Sequence, residues 1–431
     1  MSNELLPIEL PPPGRSMAKV WSWLPQSEIE SGALDQIVNL ANLPSAKHVA
    51  VMPDAHKGYG MPIGTVLATI GTVVPYAVGV DIGCGMVAVK TSLNVTQAPR
   101  ELVRKALEGI FARVPVGQPG RGRDRDAGSF KDRQDSVVLR EWIESVGSIL
   151  DGTKDLRERS DRQLGTLGGG NHFIELQSDG TNVWLMLHTG SRSFGKAICD
   201  RWYKYALGLN EKYYTPLPDK ELAFLPLEGI HGGYAYLNEM RYAMRFAEES
   251  RKRIENRSIE AMVEAFGDFV IEQRIETHHN FAAVEKHMGK DLVVHRKGAV
   301  KTVEVEASAK PLVAGMRAEV TIPGSMQTGS YIGLGKPNVL ALNTCSHGAG
   351  RRLGRKQAQR ERAAEEAAFG VPYASMRDQM ALQGIELVTP EGSDVVDEGG
   401  FAYKDIENVM RYQADLVEPV VRLTPLGVVK G

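Results

Sequence analysis

The apolar positions along the chain form two kinds of run. One follows helical spacing. Leu34, Ile37, Val38 and Leu40 recur after Ser27-Glu28-Ile29-Glu30 and predict a helix that stops before Pro44. Leu102, Ala106, Leu107 and Ile110 share one face of a helix expected over 98–110. Residues 197–276 read as mainly helical. Their last part, 234–276, is charged and free of Gly and Pro except Gly267, which predicts one or two helices outside a sheet core. The other kind of run is short and continuous, as buried strands are. It occurs at 48–52, 183–187, 292–297, 303–305 and 318–322. Between Lys57 and Asp81 no charge occurs, but Gly58, Gly60, Gly64, Gly71, Gly79, Pro62 and Pro75 make a spanning helix a poor reading. Buried strands joined by Gly turns fit better. Residues 1–20 read as an irregular arm, 53–58 as a polar loop and 113–133 as a mobile loop rich in Gly and Arg. The expected fold class is α/β of the mixed α+β kind, one large unit over 1–431 with a sheet core and peripheral helices. No repeat or low-complexity linker divides it.

Composition narrows the partners and the compartment. A hydrophobic share of 42% and a charged share of 24% are those of a soluble globular protein. A net charge of -2 provides no global attraction for nucleic acid, so any such binding needs local basic clusters. Three Cys without a CxxC pair argue against a disulfide scaffold or a four-Cys zinc site. They fit a reducing, cytoplasmic compartment. Glu4, Glu9 and the run Pro11-Pro12-Pro13 do not read as a signal peptide.

The chemistry gathers around Val80-Asp81-Ile82-Gly83-Cys84-Gly85. Asp does not follow an apolar run into the interior unless a charge or a metal accounts for it. A carboxylate and a thiol three residues apart, on what reads as a strand entering a turn, can hold one cation or bridge two. Downstream, Gly168-Gly169-Gly170-Asn171-His172, the strand end at His188-Thr189-Gly190-Ser191-Arg192, and Thr277-His278-His279-Asn280 supply imidazoles. Neighbouring residues on a strand or a helix face different ways, so at most one of His278 and His279 joins a shared site. Five donors exceed one tetrahedral site. Two metals sharing the thiolate suit phosphoryl chemistry, and the mixed donors permit Zn, Mn or Fe. His56 reads as a loop histidine with an ordinary hydrogen bond. His347 sits apart in Asn343-Thr344-Cys345-Ser346-His347-Gly348-Ala349-Gly350-Arg351, ahead of a helix start with six basic residues in 351–362. Such a start is an anion site by geometry. A neutral imidazole there can act as a nucleophile on phosphorus, as a sixth ligand or as a general acid.

The segments resemble those of the RtcB family of GTP-dependent RNA ligases. The matching motifs are Asp54-x-His56-x-Gly58-Tyr59-Gly60, 80–85, Gly168-Gly169-Gly170-Asn171-His172-Phe173, His188-x-Gly190-Ser191-Arg192, His279-Asn280, His295-Arg296-Lys297-Gly298-Ala299, Pro323-Gly324-Ser325-Met326 and His347-Gly348-Ala349-Gly350-Arg351, in family order. The resemblance implies ligation of an RNA 2′,3′-cyclic phosphate or 3′-phosphate end to a 5′-hydroxyl end, with GTP and two Mn²⁺ ions. It implies a guanylylated His347, one metal on Asp81, Cys84 and His172, and a second on Cys84, His188 and His279. It implies GTP contacts from Asn171, His172, Phe173, Ile174, Glu175, His279, Asn280, Pro323, Gly324, Ser325, Met326, Ser330, His347, Gly348, Ala349, Gly350 and Lys430. RNA phosphate would meet Arg192, with Arg192 and Arg351 offsetting its charge. The RNA would be tRNA halves or cleaved RNA, and some members of the family require an archease-like activator. Two other classes use parts of the same inventory. A dinuclear metal phosphoesterase, processing RNA ends without ligation, needs the metal donors but neither His347 nor Lys430. A non-catalytic RNA- or nucleotide-binding protein needs only the basic segment 351–362.

Overall fold

The computed structural model describes residues 6–10, 18–116, 136–146, 153–229, 232–304, 316–369, 375–391, 393 and 395–431. Most of the loop expected at 113–133 and much of the arm at 1–20 lie outside them.

Two sheets position the site. The first has six strands, ordered edge to edge Ile8–Leu10, Lys19–Ser22, Ala46–His56, Ile63–Thr69, Lys290–Lys297 and Asn280–His287. The second runs Ile271–His278, Gly85–Asn94, Asn182–Thr189, Phe173–Ser178, Val417–Lys430, Ser330–Gly335 and Glu319–Pro323, with Glu386–Val388 alongside Val417–Lys430. Pairing is antiparallel except between Lys19–Ser22 and Ala46–His56, and between Glu386–Val388 and Val417–Lys430. Ile271–His278 leaves the second sheet and Asn280–His287 enters the first, so His279 sits at the joint between them.

Register carries the chemistry across the second sheet. His278 faces Gly85, which faces Thr189. One step along, Met86 pairs with His188, His188 with Phe173 and Phe173 with Lys430. Residues from five chain segments therefore meet at one end of five adjacent strands. The sheet is covered on both faces, which is why its strands read as unbroken apolar runs. Val87, Val89, Leu185 and Leu187 pack with Val103, Leu107 and Ile110 of the helix Arg100–Arg113 and with Ile254 and Met262 of the helix Gly233–Phe266. On the other face Met86, Ala88, Trp184 and Met186 meet Ile275, Ile332 and Leu423.

The architecture is the expected mixed α/β class, and several elements differ from their sequence reading. The helical stretch expected over 234–276 is one helix, Gly233–Phe266, that stops at Gly267 with φ +87°. A residue with a side chain rarely adopts that conformation. Residues Ile271–His278 then form a strand whose exposed edge carries the charges that made it look like helix surface. The helix is also more buried than a peripheral one, with Tyr236, Phe246, Arg251, Glu255 and Met262 inside. The strand expected at 48–52 runs from Ala46 to His56, so Pro53 and Asp54 are strand residues and not a loop. Register with Ile63–Thr69 shifts between Val51 and His56, which accommodates a proline lacking a ladder donor. Ile8–Leu10 and Lys19–Ser22 make the start of the chain less irregular than expected. Asp81–Cys84 is a turn entering the strand Gly85–Asn94, the reverse of the expected order, and it is preceded by the short helix Pro75–Val78. No helix among the described residues is long and apolar enough to cross a membrane.

Candidate active site

Two overlapping groups of donors can hold metal ions. Cys84, His188 and His279 form one; Asp81, Cys84 and His172 form the other; within each, the donor atoms lie within 4.8 Å of one another. Cys84 Sγ is 3.2 Å from His188 Nε2 and 3.6 Å from His172 Nε2. His172 Nε2 lies 3.1 Å from Asp81 Oδ2, and His188 Nε2 lies 3.2 Å from His279 Nε2. The backbone sets the tautomers. His172 Nδ1 donates to the Leu167 carbonyl at 2.9 Å and His188 Nδ1 to the Asn171 carbonyl at 3.1 Å. Each Nε2 is thereby left as a lone pair aimed at the thiol, the second-sphere arrangement that suits imidazole to a metal. Burial, with the neighbouring His172 and His347, holds His188 well below the ordinary histidine range; burial with His347 and His188 does the same for His279. Neutral imidazole is the ligating form. Burial and Asp81 push the Cys84 thiol well up, an opposition that a bound cation reverses. Soft sulfur, neutral nitrogen and a hard carboxylate fit divalent transition metals.

Glycine makes room for this cluster. A Cβ on Gly190 would lie 2.4 Å from both Asp81 carboxylate oxygens, and one on Gly168 would lie 2.0 Å from the Arg192 guanidinium. Arg192 opens the helix Arg192–Lys212 with φ 57°, a strained conformation for arginine. Its charge and the His172 hydrogen bond outweigh burial, and Asp81 falls below the usual carboxylate range. Arg251, fully buried on the long helix, donates to the Gly83 carbonyl at 2.8 Å, the Thr189 carbonyl at 3.1 Å and His278 Nδ1 at 3.0 Å. One guanidinium thus ties together three donor-bearing segments.

His347 stands beside the cluster, its ring centroid 4.8 Å from that of His279. Its Nδ1 is 2.6 Å from Asp54 Oδ2, which also accepts from the His347 backbone N–H at 3.1 Å. Asp54 is fully buried. His347 Nδ1–H donates to this carboxylate, which leaves the Nε2 lone pair free, the way the acid of a catalytic triad orients its histidine. Close backbone approach makes the pair possible: a Cβ on Gly350, at φ +71°, would lie 2.1 Å from the Asp54 carbonyl oxygen.

A cavity of about 450 Å³ opens from His347 and His188. Asn171, Phe173, Glu175, Pro323, Gly324, Ser325, Met326, Gly348, Ala349, Gly350, Arg351 and Lys430 line it. Glu175 Oε2 accepts from Gln177 Nε2 at 2.6 Å, while its buried Oε1 has no partner among the described residues. Burial pushes Glu175 up to about 8, against the Gln177 hydrogen bond and the Lys430 charge. Lys430 Nζ donates to the Gly170 carbonyl and to Glu398 Oε2, both at 2.8 Å.

Some expected contact residues stand elsewhere. The Ile174 side chain points into the core with Val87 and Leu185, because neighbours on a strand alternate faces. Ser330 lies behind the wall, 2.9 Å from Gln177 Nε2. Asn280 braces the turns, donating to the Asp81 carbonyl at 2.9 Å and accepting from the Gly298 N–H at 2.8 Å. Arg351 is held by Glu398, the Asp397 carbonyl and Tyr403, and Arg355 by Asp397 and Glu398, so two of the six basic residues in 351–362 already have carboxylate partners. His56 makes the expected ordinary bond, Nδ1 to the Asp54 carbonyl at 2.9 Å, and also lines the cavity. Asp54, Arg251, Glu398 and Tyr403 escaped sequence reasoning as site residues. Asp54 carried a usable signal, the same lone acid in an apolar strand that singled out Asp81.

Two groups of donors that could hold metal ions, beside a carboxylate-held histidine and opening on a cavity lined by carboxyl and ammonium groups, have the make-up of an enzyme active site. The family model described as tRNA-splicing ligase RtcB matches residues 36–431. The chain is 34% identical over 445 residues to the RNA-splicing ligase RtcB of Escherichia coli strain K12, covering 100% of both. It is 32% identical over 450 residues to the tRNA-splicing ligase RtcB of Thermococcus kodakarensis, covering 92% of this chain and 91% of that one. It is 31% identical over 452 residues to the RNA-splicing ligase RtcB of Mycobacterium tuberculosis, covering 92% of this chain and 100% of that one. The chain belongs to the RtcB family of RNA-splicing ligases.

Proposed function

We propose that this enzyme joins an RNA 2′,3′-cyclic phosphate or 3′-phosphate end to a 5′-hydroxyl end, using GTP and two Mn²⁺ ions, in tRNA splicing or RNA repair. The observation that carries the reading is the Asp54–His347 pair beside the shared-thiolate donor groups. A 3′-phosphate is anionic and has no leaving group, so it must be activated before a hydroxyl can attack it. His347 Nε2 attacks the α-phosphorus of GTP; the N–P bond forms and pyrophosphate leaves. Asp54 keeps the Nδ1 proton and offsets the positive charge on the imidazole. An oxygen of the RNA 3′-phosphate then attacks the same phosphorus, the N–P bond breaks, and RNA-3′-pp-5′-G results. The 5′-hydroxyl oxygen attacks the 3′-phosphorus, loses its proton, and GMP departs. A cyclic phosphate is first opened by water to the 3′-phosphate.

Asp81, Cys84 and His172 would hold one Mn²⁺, and Cys84, His188 and His279 the other; bound there, the ions would supply Lewis-acid charge neutralisation at phosphate oxygens. Arg192, beside Asp81, would offset the remaining phosphate charge, and Arg351, which lines the cavity, would do so in part because Glu398 already pairs with it. Lys430, a donor, beside Glu175, an acceptor, matches the O6 and N1–H edge of guanine.

The test is direct. Incubation with Mn²⁺ and α-labelled GTP is expected to leave acid-labile label on the protein, and His347→Ala to abolish it. Hydrolysis of RNA ends without protein labelling would instead indicate a phosphoesterase, and undiminished label on His347→Ala would overturn the nucleophile assignment.

A further inference from the structure

We propose that Glu398 is the positioning residue through which the cavity selects guanine over adenine, by fixing the Lys430 ammonium with one N–H aimed at the base. The inference rests on the guanine-nucleotide reading above and adds a residue which that reading does not use.

Glu398 closes the short helical turn Val396–Glu398 and is only 3% exposed. Its Oε2 accepts from Lys430 Nζ at 2.8 Å and from the Tyr403 hydroxyl at 2.5 Å. Its Oε1 accepts from Arg351 Nη1 at 3.1 Å and from the Arg355 guanidinium. One carboxylate therefore anchors three cations, two from the segment 351–355 and one from the strand Val417–Lys430. Burial works against its charge, but Lys430, Arg355 and Arg351 hold it at about 2.

Lysine carries three donors on a flexible four-carbon stem, so by itself it is a poor reader of one acceptor position. Here the freedom is removed. One N–H goes to Glu398 and one to the Gly170 carbonyl, which leaves one for the cavity. Burial lowers the proton affinity of Lys430, and the Glu398 charge and hydrogen bond offset part of that drop. Beside it, Glu175 Oε1 is buried without a partner among the described residues. Guanine offers an acceptor, O6, next to donors at N1 and N2; adenine offers a donor, the 6-amino group, next to an acceptor, N1. A fixed donor beside an acceptor pairs with the first edge and repels the second at both positions. Sites that bury polar groups in this way reject the mismatched ligand strongly. If Lys430 could swing, it would follow whichever acceptor was present, and the discrimination would relax.

The experiment compares protein labelling from GTP with that from 2-aminopurine riboside triphosphate, which lacks O6 and, with it, the proton on N1. In the unaltered enzyme, this change is expected to lower kcat/KM about 100-fold or more, as for other buried hydrogen-bond readers. In Glu398→Gln, and equally in Lys430→Met, the ratio should shrink by about tenfold or more, the remainder being the N1 proton that Glu175 reads. Glu398 also holds Arg351 and Arg355; any loss of overall rate from releasing them falls on both nucleotides alike and leaves the ratio unmoved. Should Glu398→Gln fail to fold, Glu398→Asp keeps the charge, withdraws it from Lys430 by one methylene, and gives the same reading. Full retention of O6 dependence in a folded Glu398 variant would overturn the proposal. If the unaltered enzyme takes no label from GTP, it is the ligase mechanism that fails. Calorimetric binding of GMP against 2-aminopurine riboside monophosphate then decides the role of Glu398 by the same ratio.

Discussion

At the scale of single residues, the site depends on which atom keeps which proton. Asp54 and His347 are 293 positions apart in sequence and 2.6 Å apart in space. Replacing Asp54 with Asn keeps the shape but presents an amide that can donate to Nδ1 and favour the wrong tautomer. Guanylylation is expected to fall about 100- to 10,000-fold with little change in thermal stability, measured by label incorporation and calorimetry. Glu175 makes a second prediction. Its folded pKa, about 8, lies above the ordinary carboxylate value, so ionisation opposes folding: its stabilising contribution is full below about pH 4.5 and is lost as pH rises through about 8. Guanine N1–H binds the ionised form. GMP affinity should therefore rise with pH, by at most about tenfold per unit, and level off above about pH 8. Glu175→Gln should flatten the profile, and a profile that falls with pH would contradict the assignment.

At the scale of elements, the donors are held by the ends of strands and by one buried guanidinium. Arg251 reaches from the helix Gly233–Phe266 to carbonyls next to Cys84 and His188 and to the ring next to His279. Arg251→Lys retains a charge but cannot span all three. Metal affinity measured by titration with Mn²⁺ is expected to drop about 10- to 100-fold, the usual cost of losing a second-sphere partner. Gly350 is the other hinge of the design. Gly350→Ala adds a Cβ at φ +71° against the Asp54 carbonyl, and a loss of about 1–3 kcal/mol of stability with reduced labelling is expected. Elements were legible in proportion to their periodicity. The helices at Ser31–Ala41 and Arg100–Arg113 carry regular apolar faces and stand close to where the spacing put them. Residues 271–278 do not, because an edge strand with one polar side looks like helix surface until its partner strand is known. The extension of the strand Ala46–His56 through Pro53 was hidden for the same reason, since a bulge becomes evident only from the pairing.

At the scale of the whole molecule, the site belongs to both sheets. Asp54 comes from the first, His188 and Lys430 from the second, Cys84 from the turn that enters it, and His279 from the joint. We infer that residues 1–431 fold as one unit, so calorimetry should give a single unfolding transition. On the proposed function Mn²⁺ would bind the assembled donors and not the unfolded chain, and at 100 times its Kd one such site would add about 2.7 kcal/mol to stability. The whole transition should move up with Mn²⁺ and return with chelator, and Cys84→Ala should abolish most of the shift. Two separate transitions, only one of them sensitive to metal, would contradict a shared unit.

The amino-acid sequence by itself determined the inventory: a thiol and a carboxylate beside glycines, imidazoles at strand ends, and a histidine ahead of a basic helix. These are local patterns, because turns need glycine and metals need particular donor atoms wherever the chain places them. The tertiary structure alone decided the partnerships. Asp54 with His347, Arg251 with three donor segments, and Glu398 with Lys430 join positions on separate elements. No periodicity links such pairs along a chain, and only packing decides which buried charge meets which.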